Sequence, residues 1–139
     1  IEICSDGVVA NSNGPIRETE GLWSMPINVM PDHEHIYHAE RTPEWVDHWV
    51  RRYNWSDDYG PESYFVEDWT ERVLDELRRH EESNVLSVMI IHPITLYLSD
   101  RLASFRRILD FLSSCRTVKL SEAHDELTNN QPVLQEVTV

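Results

Sequence analysis

The chain has 139 residues, enough for one hydrophobic core and too few for two ordinary domains, so residues 1–139 read as a single unit. Its 25 acidic residues against 12 basic ones give a formal charge of −13, which argues against nucleic acid and anionic membrane surfaces as partners, because binding phosphates depends on clustered Lys and Arg. The longest apolar stretch, residues 85–91, falls far short of the roughly 20 residues of a membrane span.

The chain therefore reads as soluble; no charged-then-apolar leader precedes the first core pattern, so no signal peptide is readable and the compartment stays open. Cys4 and Cys115 are too few and too far apart for a cysteine-based zinc motif or a disulfide framework, and read as buried thiols. The basic residues comprise eleven Arg and one Lys, Lys119. An acid-rich, Lys-poor surface resembles proteins of salt-loving organisms, where screening tames self-repulsion; GC-rich codon usage gives the same bias.

In chain order, residues 1–4 and 8–10 read as a short buried strand and its exit, followed by a loop over 11–21 containing Gly14 and Pro15. The run "LWSMPINVM", residues 22–30, predicts a second strand that Pro26 confines to an edge or a bulge. Thr42-Pro43 signals a helix start, with Trp45, Val46, Trp49, Val50 and Tyr53 at helical spacing after it. A further helix carries Phe65, Trp69, Val73 and Leu77 on one stripe and ends near Ser83 or Asn84. Residues 85–91, "VLSVMII", read as a parallel strand buried on both faces. A loop after His92, a helix capped by Ser99 with Leu102, Phe105, Leu109 and Leu112 on its stripe, a short strand over 116–120 and a helical turn or two over 121–127 complete the pattern. The alternation favours an α/β fold with a mostly parallel sheet.

In parallel α/β folds the strand C-termini form the active face. Asp32 and His33 follow one predicted strand and His92 follows another, so their side chains converge if both strands share a sheet. A carboxylate beside an imidazole fixes its tautomer and favours its charged form, suiting it to donate a proton to a leaving group. The plain alternative is that His92 only caps its strand. The stretch "PDHEHIYHAE" also raises a metal site: His33 and His35, two apart on an extended segment, face one side, and His38 could close around an ion. The spacing matches no established pattern, and exposed loop histidines among acids are the simpler reading. Of the aromatics dense between residues 45 and 69, most fall on helical stripes; Trp55 and Tyr59, in a turn, are the better candidates for stacking on a sugar.

The stretch "SVMIIHPITLYLSDRLASFRRILDFLSSCRTVKLSEAHDEL", with "IEICSDGVV" and "LWSMPINVMPDHEH" ahead of it, resembles the C-terminal half of polysaccharide deacetylase-like (NodB-homology, carbohydrate esterase family 4-like) domains. The resemblance implies part of a distorted (β/α) barrel with mostly parallel strands, and metal-dependent removal of acetyl from an N-acetylated sugar or hydrolysis of a related C–N bond. A complete barrel of this kind takes about 250 residues. In the family the divalent metal, zinc or similar, is held by an Asp-Asp motif and a His-x-x-x-His motif ahead of the matched stretch, which puts the ligands outside this chain. His92 matches the late histidine that protonates the leaving amine. Asp32 stands where an acid supports that histidine, although "PDHEH" departs from the family's Asp-x-x-Asp-Trp form. His33 borders the same site and Leu98 would line an acyl pocket. Half a barrel exposes strand edges, so a complementary N-terminal segment or a second copy is the expected partner. The competing expectations are a non-catalytic domain that binds carbohydrate or a partner, and a small metal module using His33, His35 and His38.

Overall fold

The computed structural model describes residues 2–5, 7–19, 21–36, 42–44, 47–48, 58–60 and 62–129. Three short strands open the chain: β1 (Ile3–Cys4), β2 (Ile16–Thr19) and β3 (Leu22–Ser24). They form one mixed sheet of order β1-β3-β2, with β1 parallel and β2 antiparallel to β3. Gly21, at φ +75°, supplies the left-handed residue between β2 and β3. The expected strand over 22–30 stops as a ladder at Ser24, two residues before Pro26, which has no N–H to offer. Beyond it come the Met25 N–H bond to the Cys4 carbonyl and the Val8–Ile27 bridge, with Ile27 N–H donating to the Gly7 carbonyl and Val9 N–H to that of Ile27.

After a single helical turn, α1 (Asp32–His35), the main helix is α2 (Val66–Glu82). Val66, Trp69, Val73, Leu74 and Leu77 recur at three- and four-residue spacing and are buried, while Glu67 and Asp68 in the first turn and Arg79 and His80 in the last suit the helix dipole. Its end is a Schellman motif with Asn84 in the left-handed position (φ 54°). Asn84 N–H donates to Glu81 O and Val85 N–H to His80 O, which turns the chain back along the core. Helices α3 (Pro93–Asp100), α4 (Ala103–Leu112) and α5 (Leu120–Asn129) follow. The core packs α2 against Val29, Met30, Ile36, Leu96 and Ile108, with Met89, Ile91 and Phe105 half-buried around them.

The expectation of part of a (β/α) barrel with mostly parallel strands is overturned. Among the described residues the sheet has three strands, one of them antiparallel, and helices dominate the rest of the chain. Residues 85–91, expected as a parallel strand buried on both faces, form none. Their sideways link to residue 28 is one backbone bond, Asn28 N–H to Val88 O at 3.1 Å, and the next positions are taken by the Asn28 side chain instead of a neighbouring backbone. Residues 85–89 are half-buried and Ile90 is exposed, whereas a strand covered on both faces would be buried throughout.

Residues 116–119 form no strand either. The loop expected after His92 is helix α3, started by Pro93 at its first position. Ser99 therefore lies inside a helix, and the cap of α4 comes from Asp100, which accepts from both the N–H and the hydroxyl of Ser104. Cys4 and Cys115 are free and half-buried. The helix expected from Thr42-Pro43 falls largely outside the described residues. Among those described, no helix is long and apolar enough to cross a membrane.

Candidate functional site

The apolar run before Asp32 contains a single interior amide, Asn28, which is 1% exposed. Its Nδ2 donates to the carbonyls of Ser12 (3.2 Å) and Leu86 (3.0 Å), and its Oδ1 accepts from Val88 N–H (2.8 Å). A buried amide with its hydrogen-bonding groups so engaged is satisfied and fixes which residues lie side by side. Residue 28 is thereby held level with residue 88. Four residues further along each segment stand Asp32 and His92, and they meet.

Asp32 is fully buried, and both of its carboxylate oxygens face His92. Oδ2 accepts the His92 backbone N–H at 2.8 Å, and Oδ1 lies 2.8 Å from ring Nδ1. A carboxylate accepts, so Nδ1 carries the proton and the lone pair of the neutral ring sits on Nε2. The His92 side chain remains 41% exposed, and with Nδ1 turned to Asp32 the ring nitrogen left to meet an incoming molecule is Nε2. His33 is exposed beside it, with ring centroids 5.2 Å apart and tilted by 52°. The pair thus has a fixed tautomer, a buried carboxylate partner and a second ring nitrogen not taken up by that carboxylate, the components of proton transfer to or from a bound ligand.

The expected convergence of Asp32, His33 and His92 is therefore present. The expected common face of His33 and His35 is absent, because the segment is a helical turn, in which residues two apart point to nearly opposite sides. His35 is buried and directed inward, its Nδ1 donating to the Glu62 carbonyl at 2.8 Å and its ring packed edge-on against Tyr59 at 5.8 Å. His38 and Trp55 lie outside the described residues. Tyr59 is half-buried, and its hydroxyl donates to Glu76 Oε2 at 3.4 Å. Leu98 lies on α3 and is 70% exposed.

Among the described residues, no three His, Cys, Asp or Glu side chains come together as metal ligands. Of the donors nearby, both Asp32 oxygens face His92, and His35 Nδ1 faces Glu62. The described residues thus offer no three-ligand set for the divalent ion that the family resemblance implies. A cavity of about 420 Å³ opens beside residues 86–90, lined also by Ser5, Ile27, Val118 and Ala123; Asp32, His33 and His92 do not line it. The chemistry is better located by the Asp32–His92 geometry than by this cavity, whose lining is mostly apolar and holds no acid–base pair.

Asn28 was not among the candidates drawn from the sequence. Its signal was there to read, since a lone amide inside the apolar run 22–30 has to find buried partners. No family model, no curated protein and no solved structure matches the chain.

Proposed function

We propose that this chain carries the acid–base histidine of a hydrolase of the polysaccharide deacetylase type, acting on the amide C–N bond of an N-acetylated sugar or a related compound. The single observation that carries this reading is the Asp32–His92 pair, with its buried carboxylate, its Nδ1–H held by that carboxylate and its half-exposed ring. The ordered resemblance of the flanking sequence supports it. In this scheme His92, charged and held by Asp32, gives the Nε2 proton to the departing amine nitrogen as the C–N bond breaks. The neutral ring left behind keeps Nδ1–H on Asp32 and is ready to take up the next proton. Contact with the leaving group is assigned in this scheme to His33, whose ring centroid lies 5.2 Å from that of His92. A divalent metal is part of this reading, with its ligands outside the described residues.

The experiment compares acetate release from N-acetylglucosamine oligomers by the full-length gene product and by its His92→Ala variant. Loss of a positioned general acid should slow turnover by roughly two to four decades. Unchanged turnover would overturn the assignment.

A second reading, a non-catalytic domain that binds carbohydrate or a partner, is favoured by the apolar side chains left in solvent on α3, the helix that starts after His92: Ile94 at 63% and Leu98 at 70% exposure. Under that reading the oligomer binds with an affinity that Ile94→Ser/Leu98→Ser weakens, and no acetate is released by any form.

A further inference from the structure

Asp32 is buried, so the place of its carboxylate is set by the backbone that delivers it. Two groups of that backbone are held by side chains of α2. Met30 N–H donates to Glu76 Oε2 at 2.9 Å, and the Pro31 carbonyl, in the peptide bond leading into Asp32, accepts from Trp69 Nε1–H at 3.1 Å. Residues 69 and 76 are two helical turns apart and share one face of a 17-residue helix. One grips a donor and the other an acceptor, on consecutive residues, immediately before the carboxylate.

Packing alone does not account for Glu76. Its neighbours on the outer faces of α2, Glu71 and Asp75, have well-exposed side chains, whereas the Glu76 side chain is 12% exposed. Burial pushes its carboxyl above the ordinary range, opposed by the bonds from Met30 and Tyr59 and by the nearby charges of Arg79 and His35. A leucine would fill the site without that cost. What leucine could not do is accept the Met30 N–H. Trp69 likewise brings more than bulk, since its indole N–H is satisfied by the Pro31 carbonyl while its ring fills the core.

We propose that Glu76 and Trp69 are positioning residues for the Asp32–His92 pair: α2 holds the backbone of residues 30 and 31 at two points, and so sets the Asp32 carboxylate where it selects the Nδ1–H tautomer of His92. The proposal rests on the acid–base reading of the pair. The clamp works on geometry, because a hydrogen bond as short as those of Asp32 weakens steeply when its acceptor is misaligned.

The test reads the tautomer directly, from the ring ¹⁵N resonances of His92 in the ¹⁵N-histidine-labelled chain, assigned by their loss in His92→Gln. The wild type is expected to show Nδ1–H with a bare Nε2 at a pH where the ring is neutral. Glu76→Ala, still folded by circular dichroism, should lose the Nδ1–H signal, and Glu76→Gln should restore it, because an amide oxygen in place of Oε2 accepts the same two bonds. Trp69→Phe, which keeps most of the ring but loses the donor, should lose the signal as Glu76→Ala does; it decides the matter if the alanine variant does not fold. A wild-type tautomer in folded Glu76→Ala or Trp69→Phe overturns the clamp and leaves the Asp32–His92 reading standing. An Nε2–H tautomer in the wild type overturns both.

Discussion

Replacing Asp32 by asparagine separates what the carboxylate does for the fold from what it does for the chemistry. The amide has one acceptor, and the His92 backbone N–H can only donate, so the amide oxygen must turn to that N–H, which now sits 2.8 Å from Oδ2. The NH₂ group is then left facing ring Nδ1, now 2.8 Å from Oδ1. It can only donate, which forces the ring proton onto Nε2, and His92 presents the wrong tautomer to a ligand. Both contacts survive in this arrangement, so the stability change should be small, about 1 kcal/mol, the difference between charged and neutral hydrogen bonds set against the relief of a buried charge. For a chain of this size that is a shift in Tm of about 4 °C. On the proposed acid–base reading the rate, by contrast, should fall by roughly two to four decades, because proton transfer through Nε2 depends on the tautomer and not on the contact. Acetate release, thermal melting and the ring ¹⁵N spectrum together provide the assay. A variant that keeps Nδ1–H on His92, or that works at nearly the wild-type rate, would refute the reasoning.

Three further outcomes follow from the same geometry. Asn28→Leu leaves the Ser12 and Leu86 carbonyls and the Val88 N–H without their partner; at about 1–3 kcal/mol for each unsatisfied group, denaturant unfolding should show a loss of at least 3 kcal/mol. In that variant His92 should also lose its Nδ1–H signal, since residues 28 and 88 no longer fix which residues lie opposite each other. Glu76 holds its proton to higher pH in the folded chain than in the unfolded one, so its contribution to stability falls as pH rises through the interval between those two values. Glu76→Gln should therefore gain on the wild type in Tm as pH approaches neutrality and show no gain below the ordinary carboxylate range; a gap independent of pH would count against a buried, shifted carboxyl.

The meeting of Asp32 with His92 was easier to read from the sequence than the fold was. Asp32 and His92 stood out because each follows an apolar run, and that placement survives even though residues 85–91 build no strand. What an apolar run shows is that a segment passes along a core, not what its backbone bonds to. Here the partner is the Asn28 side chain, and nothing in "VLSVMII" announces it. The histidine pattern misled for a related reason: spacing has meaning only with a backbone geometry, and the turn Asp32–His35 sends His33 outward and His35 inward. Helix α2 was legible because its apolar positions repeat over 17 residues. Helix α3 was not, with only 8 residues and little amphipathic contrast, although Pro93 at its first position was a usable sign. Strand β2, "IRET", is exposed throughout and offers no burial pattern to read.

The central claim is that Asp32 and His92 act as one unit, and its most direct test is the turnover of Asp32→Asn, His92→Ala and the double variant on an N-acetylated oligosaccharide. If Asp32 works only through His92, the double variant is no slower than His92→Ala alone. If the two losses multiply, Asp32 has a role of its own and the account of the pair is wrong.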